Sequence, residues 1–216
     1  MSGRIAVLIS GRGSNLQSII DAVRAKALDA AIAVVVSNRP DAAGVFRARE
    51  AGIEAVYLDP REYDGRDAYD RAVTDVLRAR GVELVCLAGF MRLLTPGFVE
   101  WWRDRIINIH PSLLPAFKGL HSHERALEAG VRLSGCTVHF VRAEMDDGPI
   151  IVQAAVPVHP GDDAERLAAR VLAVEHRAYK LALRLIAEGR VRVEGEIVEV
   201  DGAAPDAVLI NPPDDR

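Results

Sequence analysis

The chain has 216 residues, half of them hydrophobic, with 27% charged residues and a formal charge of −4. That is enough apolar material for one substantial core, and the dispersed acids and absence of a basic run argue against nucleic acid as a partner. The apolar run at 5–9 is too short for a secretory signal and no stretch approaches a membrane span, so a cytoplasmic protein without membrane contact is expected.

Residues 5–9, Ile-Ala-Val-Leu-Ile, form a continuous apolar run, the pattern of a strand buried on both faces of a parallel sheet. Helical spacing begins at Leu16 and continues through Ile19, Ile20 and Val23. A second strand is expected over 31–36, then a helix to Ala51 that Asp41 can cap and Gly52 ends. Residues 54–58 read as a short third strand, and Asp64 can cap a helix over 65–80 that stops at Gly81. Residues 84–88 give a fourth strand, and Thr95-Pro96 opens a helix in the order cap, then proline. The apolar pair Ile106-Ile107 leads another buried strand into Asn108. Strand and helix thus alternate, which predicts an open, mostly parallel Rossmann-like α/β sheet with helices on both faces.

The pattern then changes. Residues 136–141 and 150–156 read as adjacent strands around a turn, an antiparallel addition in the C-terminal part. A long helix is expected over 163–188, followed by weak strands at 191–193 and 197–200. A Pro/Asp-rich tail from Ala204 is expected to be loose. No repeat or linker interrupts the chain, so a single domain with a core of about 4–200 is expected. Cys86 and Cys136 sit in apolar, strand-like contexts, where buried free thiols are expected over a disulfide.

Three stretches carry candidate chemistry. Gly11-Arg12-Gly13-Ser14-Asn15 joins the first strand to its helix, where glycines admit close approach and free helix N–H groups favour an anion. It is not the dinucleotide fingerprint, because Leu16 stands where the third glycine should be and the second strand ends in Ser37-Asn38-Arg39 rather than an acid. An ordinary tight turn is the competing reading; Ser14 and Asn15, both able to donate to phosphate, tip the balance. Asn108 and His110, two apart, leave the same face of an extended strand and make a pair of directed donors, with Pro111 and Pro115 stiffening the turn beyond. In Met145-Asp146-Asp147-Gly148-Pro149, one of two adjacent acids must face inward; Asp146 next to His110 would hold the imidazole charged and relay a proton. His121-x-His123 has metal-pair spacing but no third ligand motif, so hydrogen bonding ranks above zinc and no metal is expected. His139, His159 and His176 read as satisfied structural histidines, with His176 beside Glu175 a partial exception.

The segments Ser-Gly-Arg-Gly-Ser-Asn-Leu-Gln at 10–17, Leu-Ala-Gly-Phe-Met-Arg at 87–92, Asn-Ile-His-Pro-Ser-Leu-Leu-Pro at 108–115 and Val-His-Phe-Val at 138–141 together closely resemble the phosphoribosylglycinamide formyltransferase family. The resemblance runs from about residue 5 to about 197. It implies transfer of the formyl group of 10-formyltetrahydrofolate, a co-substrate, to the amine of glycinamide ribonucleotide in de novo purine biosynthesis, by direct amine attack through an oxyanion. By position it implies a catalytic trio of Asn108, His110 and Asp146. It implies a ribonucleotide site at Gly13, Ser14, Asn15 and Leu16, with Glu175 against the ribose. The implied folate site is Arg66, Met91, Arg92, Leu93, Leu94, Asn108, Arg142, Ala143, Glu144, Met145 and Asp146. It also implies a cis Leu114–Pro115 bond. Arg12 falls at a variable position of the family, and Asp147 stands where glycine is common in some relatives. A homodimer is compatible with the resemblance and is not fixed by it.

Three alternatives stand beside this reading. A formyltetrahydrofolate hydrolase usually carries an extra N-terminal regulatory domain, whereas this chain begins at strand one. A methionyl-tRNA formyltransferase needs a further C-terminal domain and a basic surface. A non-catalytic nucleotide or NADP-binding module would use Arg39 on the 2′-phosphate.

Overall fold

The uninterrupted apolar run of the first strand has a simple cause. Within β1 (Gly3–Ile9), Ile5, Val7 and Ile9 enter one hydrophobic cluster while Ala6 and Leu8 enter another, on opposite faces of the same sheet. Strands β2 (Ala30–Ser37), β3 (Ala55–Tyr57), β4 (Leu84–Leu87) and β5 (Ile106–His110) extend the sheet in parallel. β6 (Leu133–Phe140) and β7 (Ile150–Pro157) add the expected antiparallel pair, giving the order β3-β2-β1-β4-β5-β6-β7. This computed structural model describes residues 3–202, so the tail expected from Ala204 lies outside the described residues.

Helices cover both faces, as the alternating pattern requires. The first cluster joins α1 (Ser14–Arg24), α2 (Ala43–Glu50), α5 (Ser122–Glu128) and α6 (Ala164–Ala187) to the sheet, and the second joins α3 (Gly65–Ala79) and α4 (Pro96–Trp101). In α6 the buried Leu167, Val171, Ala178, Tyr179, Ala182 and Leu183 recur at helical spacing, forming the stripe that seats it. Each fully buried apolar side chain of this kind is worth roughly 1.5–3 kcal/mol. The Tyr179 hydroxyl, fully enclosed, donates to the Leu87 carbonyl at 2.9 Å and so ties α6 to the end of β4. The weak strand pair is a separate hairpin, β8 (Val191–Glu194) with β9 (Ile197–Val200). Cys86 and Cys136 are free and buried, the Leu114–Pro115 bond is cis, and no described helix is long and apolar enough to cross a membrane.

Local signals were decisive where the chain itself supplies the partner. Thr95 caps α4 by accepting from the Phe98 N–H, and Asp163 caps α6 by accepting from the Arg166 N–H at 2.8 Å. Asp41 does not cap α2. Ala42 holds the cap position, and the Gly44 N–H in the first turn is taken by the Gly11 carbonyl at 3.1 Å, while Asp41 pairs with exposed Arg39 at 3.7 Å. Asp64 sits at the cap of α3 without a side-chain bond. Two elements had no counterpart in the sequence pattern, the seven-residue α5 and a 3-10 turn at Pro60–Glu62. Both are too short to show a period.

Candidate active site

The parallel strands end together, and side-chain bonds stitch that edge. After β1 the chain goes out to β2 and β3, then returns to the other side of β1 as β4, which makes the gap between β1 and β4 the switch point where α/β sheets bind ligands. Ser10 spans it. Its N–H donates to the Gly89 carbonyl at 3.1 Å, its hydroxyl donates to Asn38 Oδ1 at 2.7 Å, and the same oxygen accepts from the Met91 N–H at 2.7 Å.

On one side of the switch point lies the glycine turn. Its carbonyls are drawn backwards: Gly11 O accepts from the Gly44 N–H, Arg12 O from Arg47 Nε at 3.0 Å, and Gly13 O from the Gln17 N–H at 2.9 Å. Gly13 caps α1 in the left-handed conformation (φ 69°) with no side-chain cap, so the first N–H groups of α1, at Ser14, Asn15 and Leu16, have no partner within the helix. That is an anion cradle at a dipole end. The Leu16 side chain is core, leaving only its backbone for a ligand. A Cβ on Gly13 would lie 2.6 Å from the Gly44 Cα in addition to the cost of positive φ, about 1 kcal/mol or more. Gly13→Ala is therefore expected to lower Tm and to raise KM for a phosphorylated substrate, measured by thermal melting and steady-state kinetics.

Asn15 Nδ2 donates to Glu175 Oε2 at 2.9 Å, and both residues are buried. Burial pushes the Glu175 carboxyl above its ordinary value, partly offset by the Asn15 bond and by the charge of His110. Because the folded-state value is raised, this group's contribution favours folding at low pH and is lost as pH rises through the folded value. Glu175→Gln, which keeps an acceptor for Asn15, is expected to raise Tm at pH 8 more than at pH 4. Equal shifts at both pH values would contradict it.

On the other side stands the Asn-His-Asp cluster. Alternation along β5 puts Asn108 and His110 on one face. Buried His110 faces two acceptors: Nδ1 lies 3.2 Å from Asp146 Oδ2, and Nε2 lies 3.0 Å from the Phe117 carbonyl, with Ser122 Oγ at 3.4 Å. Asp146 Oδ2 also accepts from the Gly119 N–H at 2.8 Å. Asp146 is the inward acid: left-handed backbone (φ 55°) turns its side chain in, at 9% exposure, while Asp147 turns out to Lys118. The turn that supplies the Phe117 carbonyl is anchored from β6 and β7. Thr137 Oγ1 donates to Ser112 O at 2.7 Å and accepts from the Leu114 N–H at 3.0 Å, and Gln153 Nε2 donates to Leu114 O at 2.9 Å.

The residues expected at a folate site divide. Met91 and Leu93 are 69% and 59% exposed, apolar surface held at the stitched edge. Arg66 Nη2 donates to the Leu93 and Leu94 carbonyls at 2.8 and 3.2 Å, and the Arg92 guanidinium stacks 4.5 Å from the Tyr69 ring centroid, so both arginines brace this segment. Met145 is exposed on the loop beside Asp146. Arg142 is buried, its guanidinium committed to Asp104 at 2.8 Å and Glu196 at 2.9 Å, which leaves its backbone as what it can offer a ligand. Ala143 and Glu144 line a cleft of about 410 Å³ with Arg103 and Glu196 rather than with His110. His121 and His123 do not converge: His121 is exposed beside Glu124 at 3.6 Å, while half-buried His123 has an unpartnered Nδ1 among the described residues.

One neighbour of the cluster falls outside the sequence expectation. His139 lies opposite Asn108 in the β5–β6 ladder, 2% exposed, with Nε2 3.3 Å from Asn108 Nδ2 and 3.9 Å from Asp146 Oδ1. The sequence signals were the alternating strand pattern at 136–141 and the resembling segment at 138–141, and neither carries the register.

An open α/β sheet thus brings a helix N-terminus able to hold an anion and an Asn-His-Asp cluster to its switch-point edge, where sheets of this class bind small molecules. The chain belongs to the formyl transferase family, whose model matches residues 3–183. The trifunctional purine biosynthetic protein adenosine-3 of Drosophila pseudoobscura pseudoobscura is 51% identical over 196 residues, 90% of this chain; the chain spans only 14% of that relative's length. The phosphoribosylglycinamide formyltransferase of Escherichia coli is 46% identical over 198 residues, covering 92% of this chain and 93% of its own. Among solved structures, glycinamide ribonucleotide transformylase 1 from Symbiobacterium toebii matches with a TM-score of 0.90 at 54% identity, over 92% of this chain and 94% of that one.

Proposed function

We propose that this chain is a phosphoribosylglycinamide formyltransferase, moving the formyl group of 10-formyltetrahydrofolate to the amine of glycinamide ribonucleotide in purine biosynthesis. The observation that carries the reading is the adjacency of two half-sites. The cradle follows the end of β1, Asn108 and His110 stand at the end of β5, and only β4 lies between those strands, so a phosphate held at 13–16 would direct its far end along this edge toward Asn108, His110 and Asp146.

The amine nitrogen attacks the formyl carbon, and the carbonyl π pair moves to oxygen. Asn108 Nδ2–H and the His110 Nε2–H are assigned to that oxyanion, the latter exchanging the Phe117 carbonyl for the developing charge. The proton released by the amine goes to Asp146, directly or through water. Asp146 Oδ2 is already used twice, and Oδ1 makes no hydrogen bond among the described residues, which makes it the receiving atom. The intermediate then collapses, its C–N bond to the folate breaks, and the leaving nitrogen is protonated from the same pair. Products are the N-formyl ribonucleotide and tetrahydrofolate.

Direct transfer is favoured over a covalent route. Burial pushes the Cys136 thiol up to about 12 and Cys86 higher still, and the Ser112 hydroxyl donates to Ala116 O at 2.6 Å. Met91 and Leu93 offer apolar contact to the pteridine-bearing substrate, with Arg66 and Arg92 holding the segment in shape. The chemistry so written asks for no metal. Ligand-induced thermal shift tests the reading: glycinamide ribonucleotide should raise Tm and NADP should not. The reverse result would favour a nucleotide-sensing module.

A further inference from the structure

We infer that His139 is a positioning residue for Asn108, a neutral imidazole that accepts the carboxamide N–H and so fixes which end of that side chain faces the reacting carbon. This rests on the formyl-transfer reading and extends it to a group that does not itself touch the substrate.

The ladder does the placing. In the antiparallel β5–β6 pair Asn108 stands directly opposite His139, so their side chains leave the same face as neighbours. His139 Nδ1 lies 2.8 Å from the Phe140 carbonyl, which only accepts, so that nitrogen carries the proton. In a neutral ring the lone pair is then on Nε2, the atom 3.3 Å from Asn108 Nδ2, and the amide donates to it. The opposite arrangement, Asn108 Oδ1 toward the ring, would need an N–H on both nitrogens. Burial opposes that cation and holds His139 below the ordinary histidine range. The Phe140 bond and the charges of Asp146 and Asp147 pull the other way, and His110 adds to the depression.

The consequence is electrostatic. A primary amide presents a donor at one end and an acceptor at the other, and a half-turn about its last torsion exchanges them. With Nδ2 anchored on His139, its second hydrogen stays available to a developing oxyanion. Without the anchor the flipped amide would place a lone pair against that negative charge.

The test is steady-state formyl transfer by H139L and H139Q, each in the unaltered and the N108A background. Gln carries an acceptor where Nε2 stands; Leu has none. H139L is expected to lower kcat about tenfold or more with the ribonucleotide KM changed less than about twofold, and H139Q to recover most of the loss. In the N108A background H139L should cost less than about threefold, because the side chain it acts through is gone. An equal loss in both backgrounds, a loss in KM alone, or Gln no better than Leu would overturn the proposal. If H139L does not fold, the imidazole ¹⁵N spectrum of the unaltered protein decides: a neutral Nδ1–H ring supports the assignment, an Nε2–H or cationic ring at neutral pH refutes it. Absent turnover by the unaltered protein would count against the transferase function, while that spectrum still reads the ring independently.

Discussion

Asp146→Asn is expected to lower kcat at least about a hundredfold, the lower range for loss of a positioned acid–base group, while Tm stays near that of the parent. The substitution is nearly silent structurally. Asn tolerates the left-handed backbone that Asp146 adopts, and its Oδ1 can still accept from the Gly119 N–H and face His110 Nδ1. What disappears is the negative charge facing His110 and the basic oxygen assigned to the amine proton. Because the glycine turn is untouched, the ribonucleotide KM should move less than kcat. Steady-state kinetics beside thermal melts would check both; near-full activity in a folded variant would remove Asp146 from the proposed mechanism.

Asn108→Ala is expected to cost about a hundred- to a thousandfold in kcat, the range seen when one preorganised oxyanion donor is removed. The loss should again fall on kcat, with substrate affinities changed little. A large rise in KM at constant kcat would instead mark Asn108 as a binding residue.

Much of the scaffold was legible because it is locally encoded. β1 has to be apolar at every position, since alternate residues enter two different cores, and that leaves a run no exposed strand would show. Thr95 and Asp163 serve N–H groups three residues away, so capping is visible in the chain. Asp41 misled because its would-be partner is satisfied from the glycine turn more than thirty residues back in sequence. The same limit applies in the site. Asn108 and His110 share a face by strand periodicity alone, whereas His139 meets Asn108 only through the register of an antiparallel pair, and a one-residue slip would have pointed it away. The choice between Asp146 and Asp147 turned on a left-handed residue in an irregular loop. Arg142 is claimed by Glu196 on the distant hairpin formed by β8 and β9, a partner no local pattern announces.

Function divides similarly. The anion cradle can be derived from glycines at a helix start, and the donor pair from spacing. The proposed identity of the two substrates rests on the resemblance of four segments and on the names of similar proteins, not on the geometry. Only the placement of the cradle and the trio along one edge of the sheet, after β1 and at the end of β5 with β4 between, suggests that one molecule reaches from one to the other.

The most direct measurement is release of tetrahydrofolate from 10-formyltetrahydrofolate with glycinamide ribonucleotide present or absent. Turnover that requires the ribonucleotide, with one formylated product per folate released, is the predicted result. Release at the same rate without it, yielding formate, would make water the acceptor and contradict the transferase assignment.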